Sequence, residues 1–290
     1  MLAHEFIRAA GGGGGAKPTT TVLFFHGLLG RKSNLRAFAK RSLPNDHCQA
    51  LLVDMRGHGD SYRLSLPGTN TLESCARDVG NLVSELVKQG QLETRPSAVI
   101  GHSFGGKLAL QYALTNPSDI DLCWVLDSAP GLITYHLNRE DLNEQRESVM
   151  RLMGVLDTLP AFASKKEMSN MLLERNFSPM VANWMTTNVV TQSDGKLGWG
   201  FNLQVVKELF ADYSKCNLVP ALQANPHKHK INFLRAGRNK LLWTERVMGE
   251  MTSGIGNVFV LPNVGHFLHA SDPDGVLAIL KPSMDQWGEK

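Results

Sequence analysis

Cysteine is scarce in this chain of 290 residues, and no two of its cysteines form a C-x-x-C pair. The four are Cys48, Cys75, Cys123 and Cys216. This spacing excludes a disulfide framework and favours free thiols in a reducing compartment.

No apolar stretch reaches the roughly 20 residues of a membrane-spanning helix. The N-terminal residues, Glu5 among them, lack the basic and apolar regions of a secretory signal. We therefore predict an intracellular protein, in the cytoplasm or an organelle matrix such as the mitochondrial one, without stable membrane insertion.

Long runs of one charge sign are also absent, and the formal net charge is +3. A nucleic-acid partner is therefore not expected. The nearest basic cluster runs from His227 to Lys230, and we interpret it as a solvated turn, not as a metal or anion site. The apolar fraction of 42% is ordinary for a globular chain, so the length suits one large α/β domain with room for an insertion.

The most informative stretch places a glycine-rich turn between an apolar strand and a helix. Residues 98–100 are a short apolar run typical of a buried strand, and residues 107–114 have helical spacing. Between them stands the G-x-S-x-G pattern Gly101-His-Ser-Phe-Gly105. In such a turn the serine backbone is strained and its hydroxyl projects above the sheet edge, which makes Ser103 a candidate nucleophile. The same pattern also arises by chance, but the flanking strand and helix favour the nucleophile.

Further strands alternate with helices along the chain, a pattern that predicts a mostly parallel sheet covered by helices on both faces. The predicted strands cover residues 19–25, 49–53, 98–100, 122–126, 231–235 and 257–261, with an edge strand at 2–8. The run from Gly11 to Gly15 is interpreted as an enlarged hairpin loop in preference to a flexible tether. Residues 1–130 and 226–290 are predicted to form the core of this α/β fold.

Residues 131–225 are predicted to form a helical cap inserted into the core, because helical patterns continue there without clear strands. Its helices are expected at 141–159, after Ser164, after Ser178 and at 201–213, with a turn from Gln192 to Gly195. In the core, helices are expected after Ser33, after Asn70, at 244–251 and from Asp272. Six cap methionines and Trp184 form apolar stripes that suit either ordinary packing or the roof of an apolar binding site.

A second glycine-bearing turn follows the predicted strand at 19–25 and reads His26-Gly-Leu-Leu-Gly30. There the Leu28 N–H could be aimed at a bound carbonyl oxygen, together with the N–H of Phe104, to form a two-donor oxyanion hole. His26, Gly27, His102, Trp184 and Phe267 are predicted to contact substrate. The loop from Asp54 to Ser61 also carries Arg56, His58 and Asp60, which we expect to bond the loop to itself.

A serine hydroxyl needs a base within hydrogen-bond reach, and His266 is the best candidate for it. It follows a glycine in the loop after the last predicted strand, as the chain order serine, acid, histidine requires. His269 is the alternative, although it is expected to open the last helix. His102 is expected to point away from Ser103, since neighbours across a tight turn diverge.

The acid is harder to assign, because the loop at 236–245 that follows the strand at 231–235 contains no aspartate. Asn239 cannot supply the negative charge that stabilises an imidazolium, and Glu245 is expected on a helix. Asp127 ends the strand that follows the nucleophile, and in a parallel sheet this strand neighbours the one that leads to Ser103. Asp127 is therefore the predicted acid, the alternative being that it only caps the loop at 128–130.

Taken together, these motifs resemble the α/β-hydrolase superfamily, and within it the abhydrolase-domain-containing-eleven subgroup and related bacterial esterases. The resemblance is carried by the segments at 26–30, 54–61, 101–106, 126–130 and 262–269. It implies hydrolysis of carboxylic esters or thioesters without cofactor or metal, and an acid after the strand that follows the nucleophile, which matches Asp127. The glycine run and the missing acid after Arg235 depart from the pattern.

The sequence therefore predicts a serine hydrolase with an α/β-hydrolase fold that acts on a small apolar acyl ester or thioester through an acyl-enzyme. Two other activities on the same scaffold stay open: cleavage of a carbon–carbon bond, as by a hydrolase or a lyase, and perhydrolysis. A ligand receptor without catalysis is the alternative from another class. The oligomeric state is left open.

Overall fold

The computed structural model describes residues 1–9, 18–133, 148–225 and 230–289. Seven of its strands form one sheet in the order β1-β3-β2-β4-β5-β8-β9. The strands are β1 (His4–Arg8), β2 (Thr20–Phe25), β3 (Cys48–Val53), β4 (Ala98–His102), β5 (Leu122–Leu126), β6 (Val189–Thr191), β7 (Leu197–Trp199), β8 (Ile231–Ala236) and β9 (Asn257–Leu261). Only β1, at the sheet edge, runs antiparallel to its neighbour. The mostly parallel sheet and the edge strand are confirmed.

The helices cover both faces of this sheet. They are α1 (Arg36–Ser42), α2 (Leu72–Lys88), α3 (Phe104–Thr115), α4 (Val149–Thr158), α5 (Lys165–Glu174), α6 (Pro179–Thr186), α7 (Leu203–Lys215), α8 (Val219–Ala224), α9 (Glu245–Met251), α10 (Leu268–Ser271) and α11 (Pro273–Gly288). Along β2, Leu23 and Phe25 point into one apolar cluster, whereas Val22 and Phe24 point into another. Because both faces are buried, the strands read as continuous apolar runs. None of the described helices is long and apolar enough to cross a membrane.

Two predicted helix starts in the core are wrong by a short distance. The N-cap of α2 is Thr71, whose side chain accepts the Ser74 N–H, and not Asn70. Asn70 instead bonds Arg56 and Glu208 with its amide group. Ser33 lies inside the short 3-10 helix Lys32–Leu35 that precedes α1 and does not cap it. The Asn70 side chain is engaged by Glu208, so the neighbouring Thr71 takes the capping position.

Residues 148–225 contain strands that the sequence pattern did not predict. β6 and β7 form an antiparallel hairpin around the predicted turn, in which Gly195 has a φ of +81°. The prediction of helices without clear strands is wrong at this hairpin. The apolar pattern shows no sign of it, because three-residue strands are too short for a periodic signal. Helix α4 begins at Val149 after its N-cap Ser148. The predicted start at Asp141, the Gly11–Gly15 loop and the His227–His229 part of the basic cluster lie outside the described residues. The division into core and cap stays a prediction.

Candidate active site

Ser103 stands at the junction of β4 and α3 with a φ of 55° and a ψ of −121°. This strained backbone is possible because its glycine neighbours allow close packing. A Cβ on Gly101 would lie 1.9 Å from the Gly105 carbonyl oxygen, and a Cβ on Gly105 would lie 2.3 Å from the Phe25 carbonyl oxygen. The Ser103 N–H donates to the Leu126 carbonyl at 2.9 Å, which anchors the turn to β5. The serine is thereby held at the carboxyl end of the sheet.

The loop after β9 brings His266 to this serine. The His266 Nε2 lies 2.9 Å from the Ser103 Oγ, and the Nδ1 lies 2.7 Å from the Asp127 Oδ2. An ionised carboxylate only accepts hydrogen bonds, so Nδ1 carries the proton and the Nε2 lone pair faces the serine hydroxyl. The three predicted residues therefore meet in the order nucleophile, imidazole, carboxylate.

Asp127 follows β5, its side chain is fully buried, and every partner that it contacts is a donor. Besides His266 it accepts hydrogen bonds from the Ala236 N–H at 2.8 Å, the Trp243 Nε1–H at 2.6 Å and the Asn239 amide at 2.6 Å. These donors compensate for the loss of hydration that a buried carboxylate suffers. The alternative that Asp127 only caps its own loop does not match this set of partners.

Sequence reasoning missed Asn239 and Trp243 as partners of Asp127. Both lie in the segment after β8, the place where a carboxylate was expected and not found. These partners could have been found by pairing the predicted strands at 122–126 and 231–235. The two are parallel neighbours, β5 and β8, whose ends lie side by side. Two side chains after β8 thus donate to the candidate acid that follows β5.

The other two histidines near Ser103 have different roles. His102 is buried and its Nε2 lies 2.8 Å from the His266 carbonyl oxygen, so it donates to the backbone of the candidate base. His269 lies on the short helix α10 and not at the start of the last helix, α11, as was expected. Its ring centroid is 4.4 Å from that of His102. Burial lowers the pKa of His269 to about 4, and burial also lowers the pKa of His102 well below its ordinary value. Both imidazoles are therefore neutral at physiological pH.

The loop of residues 26–30 lies against the serine turn. A Cβ on Gly27 would lie 3.3 Å from the Ser103 Cβ. No acceptor among the described residues takes the Leu28 N–H. Phe104 is the first residue of α3, so its N–H has no carbonyl partner in a preceding helical turn. Two backbone donors without a partner among the described residues thus lie in the segments beside the serine, and the oxyanion hole stays a prediction.

Two buried histidines hold this loop in place. His26 accepts the Met55 N–H at 3.3 Å, and His58 accepts the Leu29 N–H at 3.2 Å. Burial lowers the pKa of His58 to about 3, so the ring stays neutral and its Nε2 stays an acceptor. The expectation that the loop at 54–61 bonds to itself holds for the His58 Nδ1, which donates to the Arg56 carbonyl at 2.9 Å, but the Nε2 bonds outside the loop.

Other polar side chains of the loop at 54–61 also have hydrogen-bond partners outside the loop. Asp54 accepts the Asp60 N–H at 2.8 Å inside the loop, but it also accepts the Lys32 ammonium at 2.7 Å. Arg56 pairs with Asp78 of α2 at 2.7 Å. Most of the side-chain partners of this loop lie outside it. The loop therefore joins α2 to the loop of residues 26–30, which is called the candidate oxyanion loop below.

Two cavities meet at Ser103, with volumes of about 810 and 340 Å³. Both are lined by Leu28, Ser103, His266 and Phe267, so a carbonyl held at the serine can extend a substituent into each. The five residues predicted to contact substrate all line the smaller cavity: His26, Gly27, His102, Trp184 and Phe267. Trp184 of α6 also lines it, with its ring centroid 5.2 Å from that of Phe267.

Among the described residues, no group of three or more His, Cys, Asp or Glu is placed to hold a metal ion.

The fold and this arrangement define a hydrolase of the α/β class, and the chain belongs to the alpha/beta hydrolase family, whose model matches residues 22–279. It is 28% identical over 190 residues to the zebrafish (Danio rerio) sn-1-specific diacylglycerol lipase ABHD11, a match covering 66% of this chain and 56% of the relative. It is 26% identical to esterase YbfF of Escherichia coli over 258 residues, covering 88% of this chain and 89% of that protein.

A solved structure titled marine microorganism esterase has the same fold. It superimposes with a TM-score of 0.72 at 21% identity, and the match covers 98% of this chain and 99% of the other. The chain thus spans little more than half of the zebrafish relative but nearly all of the bacterial esterase and of this structure. The predicted resemblance to the family is confirmed.

Proposed function

We propose that this protein is a serine hydrolase that cleaves carboxylic esters or thioesters through an acyl-enzyme. The observation that carries the proposal is the 2.9 Å contact between the Ser103 Oγ and the His266 Nε2, with Asp127 behind the imidazole. The names of the relatives, a lipase and an esterase, support the same chemistry.

In the proposed first step His266 takes the proton of Ser103 while the serine oxygen attacks the acyl carbonyl carbon. The N–H groups of Leu28 and Phe104 stabilise the oxyanion that forms. The imidazolium is stabilised by Asp127 and then protonates the departing alcohol or thiol. A water molecule that gives its proton to His266 attacks the acyl-enzyme in turn, and the acid leaves as the serine is regenerated.

The cavities support an apolar acyl substrate of moderate size. The larger cavity is lined mainly by apolar side chains, among them Phe177, Met180 and Leu242. An apolar part of the substrate would bury its surface there at a gain of roughly 0.8 kcal/mol for each methylene group. Activity on p-nitrophenyl esters of increasing chain length, beside the matching acyl thioesters, defines the acyl group and the leaving group that are preferred.

The decisive experiment is labelling by a fluorophosphonate probe. The wild type is expected to be labelled, and the variant Ser103→Ala is expected to lose the label. The variant Ser271→Ala is the matched control, because Ser271 lines the same cavity but its hydroxyl donates to the Phe267 carbonyl. Ser103→Ala or His266→Ala should also lower kcat by roughly 10⁴–10⁶. A wild type that takes up no label would favour the ligand receptor.

A further inference from the structure

The two cavities differ in charge. Arg238 is the one charged side chain among the described residues that line the larger cavity, and no Asp or Glu is found there. The described lining of the smaller cavity contains neither Lys, Arg, Asp nor Glu, and its polar groups are imidazoles, amides and hydroxyls. Within the described lining, a cationic side chain is thus found at the larger cavity and not at the smaller one.

Arg238 has no ion-pair partner among the described residues, unlike several other arginines of the chain. Arg36, Arg56 and Arg95 each pair with a carboxylate, at distances of 2.6 to 2.8 Å. The exposed side chain of Arg238 makes no ion pair or hydrogen bond with the described residues. An unpaired guanidinium beside an apolar cavity leaves five N–H donors available to a ligand.

The backbone that carries Arg238 is held against the loop that carries His266. The Arg238 N–H donates to the Val264 carbonyl at 3.0 Å, two residues before His266. A Cβ on the preceding Gly237 would lie 2.3 Å from the Pro262 carbonyl oxygen, so the two loops are in direct backbone contact. These contacts fix the Arg238 backbone relative to the loop that carries His266, so its side chain starts from a set place beside the larger cavity.

We propose that Arg238 binds an anionic group, a phosphate or a carboxylate, on the part of the substrate that occupies the larger cavity. The planar guanidinium forms paired charge-assisted hydrogen bonds with both anions. The proposal rests on the proposed function and narrows it to substrates that carry a negative charge away from the acyl carbonyl. It makes Arg238 a specificity-determining residue of the site.

The first test measures binding to the variant Ser103→Ala, which does not depend on turnover. The ligands are hexanoyl-CoA and hexanoyl-N-acetylcysteamine, which share the acyl thioester. The second lacks the phosphates together with the adenosine and most of the pantetheine, so the effect of Arg238→Gln on each ligand isolates the charge. We expect hexanoyl-CoA to bind at least about tenfold more tightly, and Arg238→Gln to weaken its binding by roughly 10- to 100-fold. The control Lys240→Gln removes one exposed positive charge from the same loop but not from the cavity, and should change binding less than about threefold.

The second arm tests a carboxylate in place of the phosphates. The kcat/KM of the p-nitrophenyl monoester of adipic acid is compared with that of its methyl p-nitrophenyl diester. In the wild type the ratio should favour the charged ester, and in Arg238→Gln the ratio should fall toward one. The arm in which the preference depends on Arg238 identifies the anion.

Two results would overturn the proposal: no preference for a charged ligand in either arm, or equal losses in Arg238→Gln and Lys240→Gln. The second would show a general electrostatic attraction instead of a site. Failure of the wild type to hydrolyse any ester or thioester would contradict the proposed function instead, and the binding data on Ser103→Ala would still decide the role of Arg238.

Discussion

The Asn239 amide donates to the same oxygen of Asp127 that contacts the candidate base, at a distance of 2.6 Å. Asn239 therefore lies beside the imidazole, and its nitrogen is 3.4 Å from the His266 Nδ1. The ends of two neighbouring strands, β5 and β8, thus both reach the base. The segment after β5 supplies the Asp127 carboxylate, and the segment after β8 supplies the Asn239 amide that donates to it.

This relationship predicts that the acid can be moved from one strand to the other. Asp127→Asn should lower kcat by roughly 10²–10⁴, because a neutral amide cannot stabilise the imidazolium. Adding Asn239→Asp to that variant should restore part of the loss, since a carboxylate at 239 would lie within reach of His266. Steady-state kinetics on one ester measure both effects, with Asn239→Ala as the control. Near-full activity of Asp127→Asn would show that the acid is assigned wrongly.

The neutral His58 should make the candidate oxyanion loop sensitive to acid. Its pKa in the folded protein is about 3 because of burial, whereas an unfolded chain has the ordinary value of 6.5. As the pH falls below 6.5, the unfolded state binds a proton that the folded state does not, so stability is lost between pH 6.5 and 3. His58→Gln removes this contribution. The difference in unfolding free energy between wild type and variant should shrink from pH 7.5 to pH 5 in urea titrations, and a constant difference would exclude the effect.

The same histidine predicts a catalytic effect at neutral pH. His58 accepts the N–H of Leu29, the residue after the candidate oxyanion donor. His58→Gln should therefore lower kcat by roughly 10-fold or more with little change in KM, as expected when an oxyanion donor moves out of line. A rise in KM at constant kcat would place the effect in ground-state binding instead.

Lys107, four residues after Ser103, should stabilise the packing of α7 over the serine turn. Its buried ammonium donates to the carbonyls of Gly131, Tyr213 and Cys216 at 2.7 to 3.0 Å. Lys107→Met leaves these acceptors without a donor and should cost about 1–3 kcal/mol of unfolding free energy.

The loss in Lys107→Met should depend on pH. Burial lowers the pKa of Lys107 from 10.5 to about 8, so between these values the unfolded chain holds a proton that the folded chain has released. Wild-type stability relative to the variant should therefore rise from pH 8 to pH 10. Urea titrations at pH 7.5, 9 and 10 provide the test, and a difference that falls with pH would contradict it.

Gly101→Ala should prevent the serine turn from forming. The added methyl group would lie 1.9 Å from a backbone oxygen that cannot move without shifting α3. We expect a loss of about 4 kcal/mol or more, or failure to fold. Gly154→Ala is the matched control, because nothing lies within 4 Å of its Cβ position in α4, and it should stabilise the protein by about 0.5–1 kcal/mol. Thermal unfolding of both variants measures the contrast, and similar melting temperatures would contradict the role of Gly101.

The sequence by itself determined the elements whose signals are local. The alternation of apolar strands with amphipathic helices fixed the parallel sheet, because burial on both faces requires continuous apolar runs. The glycines around Ser103 marked the serine turn, since only glycine tolerates the backbone contacts found there. His266 followed from its place after the last strand.

Only the tertiary structure decided which distant residues serve these elements. The donors that Asn239 and Trp243 offer to Asp127, the bond from His58 to the candidate oxyanion loop, and the division of the space above Ser103 into two cavities have no periodic or local pattern. Each depends on loops more than 25 residues apart that meet at one sheet edge. The pattern of apolar residues within a segment shows which of its faces will be buried. The hydrogen-bond partners of a buried polar group depend instead on how distant segments pack together.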